Sequence, residues 1–522
     1  MLDESRLVNR VRDSAAGFGR LGAGTAPVWA SAPPRGVSAS RHTLPKKDPE
    51  TMAPARLTDP IDWVSDDPHL SGAFAPIGPE IEATDLTVLS GAIPPDLKGV
   101  YIRNGPNPRF QPVSYTYPLE GDGMLHAVAF DNGRARYRNR FVRTRSFEIE
   151  DRAGHAVYGP ILRPHPLDPK DLGPGDDPND LFKTSAFIGV LHHADHLLAL
   201  GEVEPAWRIS PDLDTLGPWT AGTDAPLPMG AHNRVHPVTG DLFALAYDLM
   251  APVVHIHHID PAGRLKRSFD VALAAPSMIH DFVLTEGHLV LLVGPAVFDM
   301  AAMMRGGPML GWRPEIGTRI GVMALDGSDP HWIETDAFFV FHFANGFESG
   351  GTITVDYVEH EKLSLGYGGP AHRPPVLRRL VIDPAARSVA RQTLFDAPAE
   401  FPRIDDRRVA RYSRFSYVPT LTHTAGLDHP ASATFNCLVQ VDGDTGAVRR
   451  HDFGRGLIGE AVFIPRGAGE TEGLLATYVY NPDEATSDLV LLDAAAPDAA
   501  PVAVIRMPQR VPAGLHGIWV PA

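Results

Sequence analysis

A chain of 522 residues with 43% hydrophobic and 21% charged side chains has the balance of a folded globular protein, which excludes wholesale disorder and collagen-like architectures. Its formal net charge of −16 opposes a sequence-independent hold on nucleic-acid phosphates. The single cysteine, Cys437, excludes an internal disulfide and every cysteine-built zinc or iron–sulfur cage, and reads first as a small buried hydrophobe.

Residues 1–60 are rich in Ala, Gly, Ser, Pro and Arg and hold no sustained helical or strand period, which predicts a flexible extension ahead of one folded domain over 61–522. Gly17, Gly19 and Gly22 spell GxGxxG, but a polar, Arg-containing segment stands where that motif needs a buried strand, so no dinucleotide site is expected. The opening segment lacks the apolar core of a signal peptide, and no stretch reaches the roughly 18 apolar residues of a membrane span; a cytoplasmic protein is expected.

From residue 84 onward the pattern changes to short apolar runs broken by Gly, Pro, Asp and Asn. HLLALGE near 196, DLFALAYD near 241, HLVLLVG near 288, RIGVMAL near 319, GTITVDYV near 351, NCLVQVD near 436, GLLATYVY near 473 and SDLVLLD near 487 read as strands, and convincing helices are scarce. So many strands over roughly 440 residues exceed one sandwich and fit about seven four-stranded blades. The fold class is therefore all-β, a β-propeller. Pro295 to Trp312 interrupts the strands with a Met-rich stretch holding Met303 and Met304. It reads either as core filling or as an apolar lip or membrane-resting patch.

Histidine is abundant, 23 residues, which directs attention to metal ligands. His232 in MGAHNRVHPVTG, His280 in SMIHDFVLTEG, His342 in FVFHFANGFE and His516 in AGLHGIWVP share a setting of apolar strand residues beside a turn former. Imidazole is the commonest neutral nitrogen ligand for iron, zinc and copper. The four span irregular gaps and follow no local rule such as HExxH, so spacing alone does not bring them together.

Three further segments precede them in order: GAIPPDLKGVYIRNGPNP with Arg103 and Asn104, EGDGMLHAV around Asp122 and His126, and YRNRFVRT. In these motifs and their order the chain resembles the carotenoid cleavage oxygenases, a family that includes apocarotenoid oxygenases, plant epoxycarotenoid dioxygenases, lignostilbene dioxygenases and the vertebrate retinoid isomerase. The resemblance runs from about residue 84 to the C-terminus. It implies a seven-bladed propeller with a loop and helix cap over an apolar tunnel. It also implies one Fe2+ held by His232, His280, His342 and His516, with O2 as co-substrate and no catalytic side chain beyond the metal centre. Glu202, Glu400 and Glu460 correspond to the glutamates that orient the ligands, with Glu204 an alternative to Glu202; His236, His257 and His258 are expected to be ordinary strand or turn residues.

The activity implied is cleavage of a conjugated C=C bond of a carotenoid or apocarotenoid, an apolar polyene, into two carbonyl compounds; the Met-rich stretch separately suggests peripheral membrane contact. A stilbene-cleaving enzyme is the alternative. That branch places a lysine immediately before the first glutamate, where this chain has Gly201, and Phe141 upstream offers no hydroxyl; Tyr115, Tyr117 or Lys183 remain as sources of polar recognition. A non-oxidative retinoid-isomerase-like enzyme and a binding-only propeller are further alternatives. Where many relatives carry Thr near the metal's open side, this chain has Ile188, expected to control access together with Phe141, Met303 and Met304.

Overall fold

The computed structural model describes residues 55–115, 120–363, 373–422 and 434–522. Each apolar run singled out above is a strand: His196–Leu200, Leu242–Tyr247, His288–Val293, Thr318–Ala324, Thr352–Glu359, Cys437–Asp442, Gly473–Asn481 and Thr486–Asp493. All eight lie inside a sheet, hydrogen-bonded along both edges. A strand paired on both edges and covered on both faces has no solvated side, which is why it reads as a continuous apolar run rather than an alternation.

The sheets form seven antiparallel blades in chain order. Blade 1 contains Gly99–Pro106, Gly123–Asp131 and Arg134–Phe141; blade 2 runs from Gly189–His193 to Thr215–Pro218, blade 3 from Arg234–Val235 to Leu265–Ala272, and blade 4 from Val283–Leu284 to His331–Thr335. Blade 5 runs from Phe343–Ser349 to Ser388–Phe395, blade 6 from Phe415–Thr420 to Val448–Asp452, and blade 7 from Leu457–Ile458 to Ala503–Arg506. Both ends of the folded chain close the ring. Val88–Gly91 pairs with Ala503–Arg506 at the outer edge of blade 7, while Gly517–Pro521 pairs with Gly99–Pro106 at the inner edge of blade 1.

The core lies between blades. Tyr101, Val128 and Phe130 of blade 1 pack on Val462, Ile464 and Leu489 of blade 7; Phe243 and Ile256 of blade 3 meet Leu289 and Leu291 of blade 4; Val290 and Ile320 of blade 4 meet Val355 and Leu380 of blade 5. Cys437 is fully buried with Val358 and Leu377 between blades 5 and 6, and burial raises its thiol pKa to about 11. Each such aliphatic side chain contributes about 1.5–3 kcal/mol by leaving water.

Two α-helices occur among the described residues, and neither is long and apolar enough to cross a membrane. α1 (Arg145–Ala153) starts at Thr144, whose hydroxyl accepts from the Phe147 N–H, and ends on the left-handed Gly154. α2 (Met300–Met304) is capped by Asp299 and falls in the expected Met-rich interruption of blade 4. Residues 1–54, including the glycine motif, lie outside the described residues. Arg56 and Leu57 fall within the expected extension, yet Arg56 pairs with Asp214 and the Leu57 N–H donates to Glu80. The folded part thus begins ahead of residue 61.

Because Gly517–Pro521 alone covers the inner edge of Gly99–Pro106, deleting Gly517–Ala522 is expected to abolish cooperative thermal unfolding measured by circular dichroism. A truncated chain that melts as sharply and at the same temperature would contradict this closure.

Candidate metal centre

Each of the four histidines stands just ahead of the innermost strand of a blade. His516 directly precedes Gly517–Pro521 of blade 1, His232 precedes Arg234–Val235 of blade 3, His280 precedes Val283–Leu284 of blade 4, and His342 directly precedes Phe343–Ser349 of blade 5. Innermost strands crowd round the propeller axis, so side chains at their starts converge at one end of it. One ring nitrogen from each histidine lies within 4.8 Å of those of the others. The His232 and His280 Nε2 atoms are 3.1 Å apart, and ring centroids are 4.5 Å apart for His232 and His516 and 4.8 Å for His342 and His516.

Three of the imidazoles meet carboxylates through Nδ1. Glu202 Oε2 lies 2.7 Å from His280 Nδ1, Glu400 Oε2 lies 2.5 Å from His342 Nδ1, and Glu460 Oε1 lies 2.9 Å from His516 Nδ1. Glu204 turns elsewhere: its oxygens accept from the Ser185 and Ala186 N–H groups at 2.9 and 2.5 Å. His232 has no such partner. Its Nδ1 is 3.9 Å from Asp281, and that carboxylate is held by Arg234 and by the Phe282 and Phe343 N–H groups.

These contacts decide which nitrogen is available. At His342 and His516 the hydrogen-bonded carboxylate fixes the N–H on Nδ1 and turns a bare Nε2 lone pair inward. His342 Nε2 is buried with no hydrogen-bond partner, a costly condition for a polar atom unless a ligand satisfies it. Burial, and then the neighbouring imidazoles, hold the His232 pKa well below its ordinary value, and burial lowers that of His516 although Glu460 opposes it. At His280 burial works against the charge but Glu202 outweighs it, so its pKa is raised. Burial also opposes ionisation of Glu400 and Glu460. His342 and His360 nevertheless hold Glu400 well below the usual carboxylate range, and Arg403 with His516 draws Glu460 down to about 2. Inward lone pairs ringed by buried negative charge are satisfied by a divalent cation. Four imidazole nitrogens within 4.8 Å of one another are close enough to share one such ion.

The RNGPNP segment frames His516. The Asn104 N–H donates to the His516 carbonyl, the Asn104 carbonyl accepts from the Leu515 N–H, and its side-chain amide donates to the Ala186 and Gly189 carbonyls. Ile188 begins blade 2 where blades 1, 3, 4 and 5 carry histidine; it is buried, and its carbonyl accepts from the His516 N–H. Phe141 is buried against Phe147 and Met124 in a separate group. Met303 packs on the edge of the blade 3–blade 4 core, while Met304 is 68% exposed.

Among the described residues, Lys183 and Tyr115 are both engaged. Lys183 Nζ stands 2.7 Å from Asp122 and 2.6 Å from Glu150, and the Tyr115 hydroxyl donates to the Glu120 carbonyl. Tyr117 lies outside the described residues. A Cβ at Gly201 would stand 1.5 Å from Glu204 Oε1, so the Glu204 side chain already fills the space of a side chain at 201. His236 binds the Val238 and Thr239 N–H groups and the Glu286 carbonyl, His257 meets Ser268 and the Pro228 carbonyl, and His258 meets Asp241. All three are turn or strand residues.

Several neighbours carry no signal in the sequence. The Phe401 ring lies 5.1 Å from that of His342 and 5.4 Å from that of His516. Its backbone is left-handed, φ 51°, a conformation costing a bulky residue about 1–3 kcal/mol; its N–H is held by Glu400 Oε2 at 2.6 Å. Phe341 sets its edge against His280 and against His360. Only adjacency to Glu400 and His342 could have pointed to these two rings.

The family model for retinal pigment epithelial membrane protein matches residues 74–521. The chain is 31% identical to the carotenoid cleavage oxygenase of Mycobacterium tuberculosis, over 88% of this chain and 98% of the other. It is 29% identical to the isoeugenol monooxygenase of Pseudomonas nitroreducens, over 87% and 98%. The crystal structure of Pseudomonas brassicacearum lignostilbene dioxygenase superposes with a TM-score of 0.81 at 28% identity, covering 88% of this chain and all of that one. With the ring of blades and the four-histidine cluster, these likenesses place the chain in the retinal pigment epithelial membrane protein family, among the carotenoid cleavage oxygenases.

Proposed function

We propose that the protein is a non-haem iron(II) dioxygenase that splits a conjugated C=C bond of a carotenoid or apocarotenoid, consuming one O2 and giving two carbonyl products. The observation that carries this reading is the convergence of His232, His280, His342 and His516 with carboxylates behind three of them. Iron(II) bound there would supply binding and activation of O2. The protein's own part is positional. Glu400 and Glu460 keep the Nδ1 protons of His342 and His516 outward and Glu202 sets its charge beside His280, while Phe341 and Phe401 wall the cluster with apolar surface and limit water. The Ile188 side chain offers no hydrogen bond at the start of blade 2, where no histidine stands. An apolar substrate fits such walls better than an ionised one.

Cleavage of a phenolic alkene is the second reading, favoured by the likeness to a lignostilbene dioxygenase and to an isoeugenol monooxygenase. Against it, Lys183 is neutralised by two carboxylates, and the space at Gly201 is taken by Glu204. We also propose, from the 68% exposure of Met304, that the Met-rich segment touches membrane surfaces from which an apolar substrate would be drawn.

Anaerobic reconstitution with iron(II), then exposure to air with an apocarotenal or with resveratrol, is expected to yield two aldehyde fragments from the apocarotenal by mass spectrometry, with none from His280→Ala. Cleavage of resveratrol alone would select the second reading, and no bound iron would overturn both. Gly201→Ala is expected to cost about 1–3 kcal/mol in urea denaturation, because displacing Glu204 leaves two buried N–H groups unpaired; unchanged stability would contradict that arrangement. Met303→Glu/Met304→Glu is expected to lose co-sedimentation with phospholipid vesicles, and equal sedimentation of variant and parent would dismiss the membrane contact.

A further inference from the structure

The three carboxylates behind the histidines are not supported alike. Glu460 is held by Arg403 Nη1 at 3.0 Å and by the Gly517 N–H at 2.8 Å, and Arg403 is itself anchored on Asp406. Glu202 lies 2.7 Å from His280 Nδ1, but among the described residues neither of its oxygens has a hydrogen-bond partner. Glu400 has a support of a third kind: while Oε2 meets His342 and the Phe401 N–H, Oε1 lies 2.6 Å from His360 Nε2. A carboxylate held at one oxygen only can pivot about its Cγ–Cδ bond, whereas one held at both oxygens presents a fixed direction to the imidazole.

His360 is built to act as a fixed post. It follows Thr352–Glu359 of blade 5, and its N–H and carbonyl exchange hydrogen bonds of 2.8 and 2.9 Å with Phe339. Its ring is largely buried and lies 5.1 Å from that of Phe341, which is also 5.4 Å from the ring of His280. One histidine outside the cluster thus contacts a group that orients His342 and a ring that abuts His280.

We propose that His360 is a positioning residue of the metal centre, holding Glu400 by one oxygen so that the other stays directed at His342 Nδ1. This rests on reading the four histidines as metal ligands. Without His360, Glu400 can rotate, His342 loses its preferred tautomer and orientation, and metal affinity falls.

The test uses the metal-free full chain and Co(II) alone, read by competition with a chelator and by visible absorption, which reports ligand geometry. His360→Asn places its amide too far back to reach Glu400 and is expected to weaken Co(II) binding about tenfold, the lower end of what loss of an outer partner costs, and to alter the absorption. His360→Gln can set an N–H where the His360 Nε2 stands and is expected to bind Co(II) close to the parent. If His360→Asn does not fold by circular dichroism, His360→Leu serves as the donor-free variant. Parent-like affinity and spectrum in the donor-free variant, or equal weakening in His360→Gln, would overturn the role of His360. Failure of the parent itself to take up Co(II) would overturn the metal reading, and this inference with it.

Discussion

The pairing of Gly517–Pro521 with Gly99–Pro106 both closes the ring of blades and delivers His516 beside His232, nearly three hundred residues earlier in the chain. Closure and site assembly are therefore a single constraint. Asn104 makes the coupling tight, since it lies on the strand that receives the C-terminal strand and brackets His516 through its own backbone. Its side-chain amide then carries the constraint across to blade 2, at Ala186 and Gly189, on either side of Ile188. The segments at the start of blade 2 and the end of the chain are thus held by the same residue.

Around the axis the blade starts differ in chemistry while sharing a place. Four present histidine and one presents Ile188; Glu400 with Phe401, and Glu460, come from the segments leading into blades 6 and 7. The acidic members stand behind the imidazoles rather than among them, which leaves imidazoles facing inward and places negative charge one step outside. A site built this way attracts a cation without neutralising it. The left-handed backbone at Phe401 is the strained element, and it is tied down by the carboxylate that serves His342.

The interior strands were legible in the sequence because burial on both faces favours a run of apolar residues, as in Leu242–Tyr247. Innermost strands of two residues, such as Arg234–Val235 and Val283–Leu284, are too short to carry any period, although they place the site. The four histidines were found by resemblance and not by spacing, for nothing local separates His232 from His236 four positions on. Glu202 and Glu204 illustrate the same limit: two residues apart in one apolar setting, they separate only when Gly201 leaves room for the Glu204 side chain to turn toward Ser185 and Ala186. His360, Arg403, Phe341 and Phe401 acquire their roles from tertiary proximity alone. A pattern read along one chain contains no term for that.

The most direct test of the account is anomalous X-ray scattering at the iron edge from crystals of protein loaded anaerobically with iron(II). One peak per chain is expected, among the inward ring nitrogens of His232, His280, His342 and His516. A peak at other residues, or none at the four histidines, would contradict it.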